Sequence, residues 1–486
     1  MTQTSPQQTN PTPATIRKAV AAAALGNAME WYDYGVFTAG AMTSTIGTIF
    51  FPGQGDAVLK SLAMVAVGFV ARPFGGLVFG PLGDKLGRRR VLAVTIVLMS
   101  LCTALVGVLP TASAIGVGAP LLLLLLRLVQ GFSTGGEYGG AATFIAEYAP
   151  TQRRGFFGSF LEIGTLSGYV AGNAIVLVML LVAGDAAQLR DTGLWRVPFL
   201  IALPMGGIGL YLRTRLDDTP AFLGLKRKRH QAALASLRAT LVGNWRMILN
   251  LMGIVLLLNI ADYMLLTTMP SYLTQHLHVG DTTSALIVIG VELAQMTLLA
   301  PLGALSDRIG RKPLLAAAAI GYIMLSLPAI RMMQGGGIAQ LVTGYAVMAF
   351  LLALMLAVVG SALPAMFPTT VRYGSFAIGY NLSTSLFGGT CGVIVEALIN
   401  RTGDNNIPAY YLVVAASVAL LPILFMPETA RVPIQTIGGA SGQAVKSPVR
   451  AAVKARASTA AGGAYRESAP VRVQRPLASR PPRTPS

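Results

Sequence analysis

Apolar runs of about 20 residues recur along the whole chain, and each is long enough to cross roughly 30 Å of hydrocarbon as a helix. That one feature fixes the solvent as lipid. Only 12% of the 486 residues are charged, against about 25% in soluble domains, so a water-facing surface of normal size cannot be built. One apolar run with its short loop, repeated over this length, gives around a dozen crossings. The expected fold is an all-α membrane protein with twelve transmembrane helices in two pseudo-symmetric six-helix bundles. Its parts are a disordered segment 1–16, a bundle 17–213, a cytoplasmic central loop 214–243, a second bundle 244–427 and a disordered basic tail 428–486. Cys102 and Cys391 lie inside apolar segments, so no disulfide framework is implied. The first residues are Thr, Gln and Pro rich, and the run after them is too long for a signal h-region, so no cleavable leader is read.

A formal net charge of +18 raises the question of nucleic acid, but the basic residues are distributed by loop, not on one face. Arg17 and Lys18 precede the first span, Lys85 and Arg88 to Arg90 fill the second loop, and Arg153 and Arg154 the fourth. The central loop, then Arg308, Arg311 and Lys312, then Arg372, then the tail continue the series, whereas the alternate loops hold only Lys60, Arg190, Arg196, Arg331 and Arg401. By the positive-inside rule both termini face the cytoplasm, with the chain in the cell inner membrane and an even number of crossings. No nucleic-acid partner is expected. The tail's basic residues suit anionic lipid at the bilayer surface.

The two bundles are related by a repeat. Gly80-Pro-Leu-Gly-Asp84-Lys85-Leu-Gly87-Arg88-Arg89 returns as Gly303-Ala-Leu-Ser-Asp307-Arg308-Ile-Gly310-Arg311-Lys312 in the same helix-to-loop setting, which marks a duplication. Pro150-Thr151 with Arg154 is echoed by Pro368-Thr369 with Arg372, and Asn27-x-x-Glu30-Trp31 by Asn259-x-x-Asp262-Tyr263. Parallel six-helix repeats imply a midplane site between the halves that opens alternately to each side.

The loop motif after the second helix resembles the signature of the major facilitator superfamily, and its copy after the eighth is the usual echo. Arg127-x-x-Gln130-Gly131 resembles that superfamily's proton-linked helix 4 motif. More narrowly, Gly26-Asn27-Ala28-Met29-Glu30-Trp31-Tyr32-Asp33, Ala71-Arg72-Pro73-Phe74-Gly75-Gly76, Gln130-Gly131-Phe132-Ser133 and Gly135-Gly136-Glu137-Tyr138 look like the metabolite:proton symporter branch. Within that branch, Tyr263 to Thr267 with Met269-Pro-Ser-Tyr272, Leu363 to Thr369 and Pro408 to Leu412 resemble the proline/betaine transporters, a family of osmolyte:proton symporters. The likeness runs from about Arg17 to Arg431. Such transporters can carry a heptad-repeat cytoplasmic tail, and residues 432–486 depart from this, being Pro, Ala, Arg and Ser rich without heptads.

The residues themselves indicate what chemistry is available. An ionisable side chain in mid-bilayer is a functional candidate because it costs several kcal/mol unless paired or hydrated. Glu30 lies about 18 Å along its helix from Lys18, near the midplane, and Asp33 follows at i+3, so the two can share a water-filled cavity. With His230, His276 and His278 all in loops or at a helix end, carboxylates must carry the proton: Glu30 first, then Asp33 and Glu137, with Asp262 behind them. Asp33 or Glu137 could instead form a static pair with Arg127 or Arg72. The fork of Arg127 suits a carboxylate, and Trp31, Tyr34 and Tyr263 beside the acids suit an ammonium group. Asn27, Glu30, Trp31, Tyr34, Arg127, Tyr263 and Asn381 are therefore the candidate substrate residues, with Asn173 as a further lining position. Gly80, Asp84 and Arg88, with Gly303, Asp307 and Arg311 in the second copy, read as a gating latch in which an Asp at a helix end accepts from a neighbouring helix N-terminus.

These readings predict a proton-coupled symporter of proline, glycine betaine or related zwitterionic osmolytes, with the proton as coupling ion and no cofactor. A symporter of another small metabolite, such as 2-oxoglutarate, citrate or shikimate, stays open. No metal-ligand cluster, Ser/His constellation or phosphate-binding loop is read, so no enzyme is expected. Glu162, Glu292 and Glu396 are buried acids without an assigned direction.

Overall fold

The computed structural model describes residues 13–53, 56–86, 88–135, 137–214, 233–367 and 372–432. A chain in lipid must satisfy its backbone polar groups within each segment, so the apolar runs become helices. They group into twelve spans within one compact unit. The first half holds α1 (Pro13–Thr38, continued by Gly40–Phe50), α2 (Ala57–Leu86), α3 (Arg88–Val108), α4 (Gly118–Thr134, continued by Glu137–Tyr148), α5 (Arg154–Ala183) and α6 (Arg196–Thr214). The second holds α7 (Ala233–Tyr263, a π-helical turn Met264–Thr268, then Met269–Gln275), α8 (Asp281–Ile309), α9 (Lys312–Gln334) and α10 (Ile338–Ala365). It closes with α11 (Arg372–Ser383, a π-helical turn Thr384–Gly388, then Cys391–Thr402) and α12 (Ile407–Phe425). Among the described residues, nine helices are long and apolar enough to cross a membrane.

Helix α1 begins at Pro13, ahead of the expected start at 17, and α7 begins at Ala233, inside the stretch 214–243 read as loop. The cause is local: Ala233-Leu-Ala-Ser-Leu is made largely of strong helix formers, which extend the span beyond its apolar core. The N-terminal residues before Pro13, the rest of the central loop and the tail beyond Val432 lie outside the described residues.

Lipid-facing and buried stripes are inverted relative to a soluble protein. On α12, Val414, Val418, Leu421 and Phe425 are exposed while Ala415, Ala416, Ala419 and Ile423 are buried. Small residues let helix backbones touch. At the α2/α4 crossing a Cβ on Gly131 would lie 1.7 Å from the Gly68 carbonyl oxygen, and one on Gly75 1.8 Å from that of Phe132. Glycine is required there, and Arg72 of α2 and Arg127 of α4 each reach a carboxylate of α1. Helix α5 packs on α1 within its half and on α8 and α10 across the halves, and α2 meets α11.

Repeat symmetry is visible in hydrogen bonds as well as in sequence. Arg154 donates from Nε to the Ala146 carbonyl at 3.1 Å, and Arg372 donates from Nε to the Pro364 carbonyl at 3.0 Å, both across eight residues. Asn27 ties α1 to α5, and Asn259 ties α7 to α11, through Ser383 at 3.4 Å and Thr384 at 3.1 Å.

Candidate functional site

The site is built outward from one helix. Glu30 and Asp33 sit on α1, both buried, and each is held by an arginine from a different neighbour. The Glu30 carboxylate accepts from Arg72 Nη2 of α2 at 2.6 Å, and the same nitrogen reaches the Tyr34 hydroxyl at 3.3 Å. The Arg72 guanidinium lies 4.4, 5.4 and 5.5 Å from the ring centroids of Phe69, Tyr34 and Trp31. The aromatic wall read in the sequence thus already faces a cation supplied by the chain itself.

Asp33 accepts from Arg127 Nη1 of α4 at 2.6 Å and from Gln130 Nε2 at 3.2 Å, and Gln130 also donates to Thr103 at 2.8 Å. Arg127 lies 3.7 Å from the Phe37 ring centroid. It grips Asp33 through one nitrogen, leaving its buried Nε and Nη2 without a hydrogen-bond partner. Two carboxylates spaced i, i+3 are therefore pulled to separate arginines, an arrangement each desolvated charge needs.

A second network starts at Trp31. Its indole N–H donates to Asn27 Oδ1 at 3.2 Å, and Asn27 Nδ2 donates to the Leu161 carbonyl at 3.0 Å and the Thr165 hydroxyl at 2.5 Å. Thr165 donates to Glu162 at 3.0 Å, Tyr138 donates to the other Glu162 oxygen at 2.6 Å, and the Tyr138 ring stacks on Tyr380 of α11 at 4.3 Å. Glu162, unassigned in the sequence, is thereby wired to Trp31 and to the second half. Its spacing from Thr165, Tyr169 and Asn173 on one face of α5 was the available signal.

The second half contributes Tyr263, whose ring meets Phe69 at 4.8 Å and Trp31 at 6.1 Å, and Asp262 beside it. Asn381 donates to the Gly135 carbonyl at 2.7 Å and Ser385 to that of Phe69 at 2.6 Å, so α11 is stitched to the break in α4 and to α2. Glu137 is buried at the first turn of its helix. Tyr32 turns away, donating to the Pro198 carbonyl of α6 at 2.7 Å. Asn173 lies 3.4 Å from both Glu292 oxygens. Glu396 meets His276 at 2.9 Å where α7 ends, a pairing the loop position of the histidine concealed.

The second copy of the loop motif makes the helix-end contact expected of it. Asp307, at the end of α8, accepts from the backbone N–H of Gly155 at 2.8 Å and of Phe156 at 3.0 Å, at the start of α5 in the other half. Arg311 lies 3.7 Å from Asp307 and donates to Ser361 and Thr429. Glu428 caps the N-terminus of α9 through the N–H groups of Arg311 and Lys312. Gly303 packs on Gly155, where a Cβ would come within 2.6 Å of the Gly155 carbonyl oxygen. The surroundings of Gly80, Asp84 and Arg88 lie outside the described residues.

Two six-helix repeats closed over buried, ion-paired charge define a multi-pass membrane transporter, and the chain belongs to the major facilitator superfamily. Residues 251–465 match the family described as Major Facilitator Superfamily, and residues 19–244 that described as Sugar (and other) transporter. The chain is 41% identical over 430 residues to a proline/betaine transporter of Salmonella typhimurium, spanning 86% of this chain and 85% of that protein. It is likewise 41% identical to the glycine betaine/proline/ectoine/pipecolic acid transporter OusA of Dickeya dadantii over the same shares, and to the ectoine/proline transporter ProP of Corynebacterium glutamicum over 87% and 86%. Among solved structures, the proton:xylose symporter XylE bound to 6-bromo-6-deoxy-D-glucose superposes with a TM-score of 0.70 at 18% identity, covering 87% of this chain and 98% of that one. That likeness concerns the fold alone.

Proposed function

We propose that the protein is a proton-coupled symporter that imports proline, glycine betaine or related zwitterionic osmolytes by alternating access. The relatives named for these solutes support the substrate class. The observation that carries the coupling is the pair of buried ion pairs on α1, Glu30 with Arg72 and Asp33 with Arg127. A substrate carboxylate that takes over one of these guanidinium groups leaves the displaced aspartate or glutamate as an uncompensated buried charge. That group must then accept a proton, so solute and proton enter together. Arg127, with its Nε and Nη2 still unpartnered, has spare donors for a substrate carboxylate; exchange at Arg127 frees Asp33 and exchange at Arg72 frees Glu30. Glu30 ranks first as the acid that takes up the proton, then Asp33 and Glu137, with Asp262 in the second half. Asn27, Trp31, Tyr34, Tyr263 and Asn381 shape the surroundings.

Closure at the basic end is assigned to the latch: Asp307, Gly303 and Arg311, and by repeat symmetry Asp84, Gly80 and Arg88. This end faces the cytoplasm and the membrane is the cell inner membrane, by the alternation of basic loops.

Uptake of labelled proline, glycine betaine and 2-oxoglutarate into vesicles, with and without an imposed pH gradient, tests the reading. Gradient-driven accumulation of the two zwitterions is expected. Uptake of 2-oxoglutarate in their place, or accumulation indifferent to the gradient, would overturn it. Glu30→Gln should permit solute exchange but abolish gradient-driven accumulation.

A further inference from the structure

Superposing the repeats by their own motifs shows where they differ in charge. The register that pairs Gly80 with Gly303 and Asp84 with Asp307 pairs Phe69 with Glu292 and Arg72 with Gln295, because α2 and α8 run unbroken through those positions. The register that pairs Asn27 with Asn259 pairs Glu30 with Asp262 and Trp31 with Tyr263. The first repeat therefore holds an acid, a phenylalanine and an arginine. In the second, the acid is kept, the phenylalanine has become a second acid and the arginine has become an amide.

The consequence is a deficit of positive charge. Asp262 is 8% exposed and its Oδ1 has no hydrogen-bond partner, and Gln295, 3% exposed, has its Nε2 unpartnered. Among the described residues Glu292 is held by the long contacts from Asn173, and it lies one turn from Gln295 on the same face of α8. Glu162 of α5 completes the group, satisfied by Tyr138 and Thr165. Asp262 lies close enough to both Glu162 and Glu292 to interact with them electrostatically. Among the described residues no lysine or arginine pairs with any of the three. Tyr169, which stacks on Trp31 at 5.5 Å and shares a 3.2 Å hydrogen bond with Thr267, lies within electrostatic reach of Asp262 and Glu292. Two features besides the charges mark a binding position. The π-helical turn of α7 starts directly after Tyr263, an irregularity frequent at functional sites. A cleft of about 10 Å³, room for roughly one water, descends along α8 past Asp281, Ser284 and Val288 and along α5 past Leu180 and Val176 to Asn173. The next turn of α8 beyond Val288 carries Glu292.

We propose that Asp262, Glu292 and Gln295 form the subsite for the substrate's ammonium group, which takes the place that the Arg72 guanidinium fills in the first repeat. Glu162 adds field from α5, and Tyr169 and Tyr263 supply ring surface suited to a desolvated cation. The assignment rests on the zwitterion reading above, since it gives the cationic end of the solute its own partner in the half opposite the arginines.

The test uses the full chain purified in detergent, with tetramethylammonium chloride as probe and sodium chloride at equal ionic strength as reference. Wild type should gain about 3 °C in unfolding midpoint at saturating probe. Asp262→Asn and Glu292→Gln should each lose most of that gain. Gln295→Arg, which restores the first repeat's guanidinium, should abolish it while raising the midpoint without probe. No specific gain in wild type, or an undiminished gain in Gln295→Arg and Glu292→Gln, overturns the subsite, even if Asp262→Asn fails to fold. Vesicle uptake separates the two readings: glycine betaine accumulation without any probe effect removes the subsite alone, and a probe effect without accumulation removes the transport reading alone.

Discussion

Asp307 of the second half accepts hydrogen bonds from two N–H groups in the first turn of α5 in the first half, Gly155 at 2.8 Å and Phe156 at 3.0 Å. A carboxylate on a helix N-terminus satisfies orphan donors and the helix dipole together. Asp307→Asn keeps one acceptor and loses the charge, a change of about 1.5 kcal/mol or roughly tenfold in the closed population. Thiol labelling of a cysteine placed at the Asp307 end of the bundle should rise accordingly, and uptake should slow. Unchanged labelling would remove the latch.

Gly131→Ala should separate α2 from α4, because its Cβ would stand 1.7 Å from the Gly68 carbonyl oxygen, and backbone cannot swing aside as a side chain can. Overpacking of this kind costs about 1–3 kcal/mol. The expected result is a lower unfolding midpoint together with near-complete loss of uptake, since both arginine pairs straddle this crossing.

Arg72→Gln leaves Glu30 without its 2.6 Å partner. Breaking a buried pair from one side costs about 3–5 kcal/mol, whereas removing both charges is far milder. The Arg72→Gln/Glu30→Gln double variant should therefore recover most of the midpoint lost by Arg72→Gln while remaining inactive. A double variant no more stable than the single one would contradict the pairing.

Arg127→Lys preserves charge opposite Asp33 but removes the planar fork and its stacking on Phe37. Uptake should fall at least about tenfold through KM, with the unfolding midpoint of the purified chain shifting much less than for Arg72→Gln. An unaltered KM would mean that the spare Arg127 nitrogens do not meet solute.

Twelve spans and their halving were legible because each apolar run is a local property of the chain and the duplicated loop motif fixes the register of the halves. Pairing inside the bundle was not. Glu30 and Asp33 are adjacent on α1, and only the rotation of α2 and α4 about that helix decides that Arg72 takes one and Arg127 the other. Sequence placed Trp31 and Tyr34 as a wall for a foreign cation, but the Arg72 guanidinium faces it. Glu162 received no direction because its partners Tyr138 and Thr165 are neutral, leaving only its shared helix face with Thr165, Tyr169 and Asn173 as a signal. The start of α7 was missed because its first residues sit in a stretch with Arg238, Thr240 and Asn244, polar enough to read as loop, although Ala and Leu favour helix there.

The two π-helical turns, Met264–Thr268 in α7 and Thr384–Gly388 in α11, both lie in the second repeat and follow Asp262 and Asn381 within a few residues. Each turn holds one residue beyond the α-helical count, so the downstream half of the helix is rotated by about 100° relative to an unbroken one. Moving that surplus residue along the helix would turn one half against the other like a screw while keeping the backbone bonded, and only the second repeat carries this freedom among the described residues. The two halves are thus built differently: the first ties its helices with ion pairs and interrupts α1 and α4 with plain breaks, whereas the second holds the surplus residues of two π-helical turns.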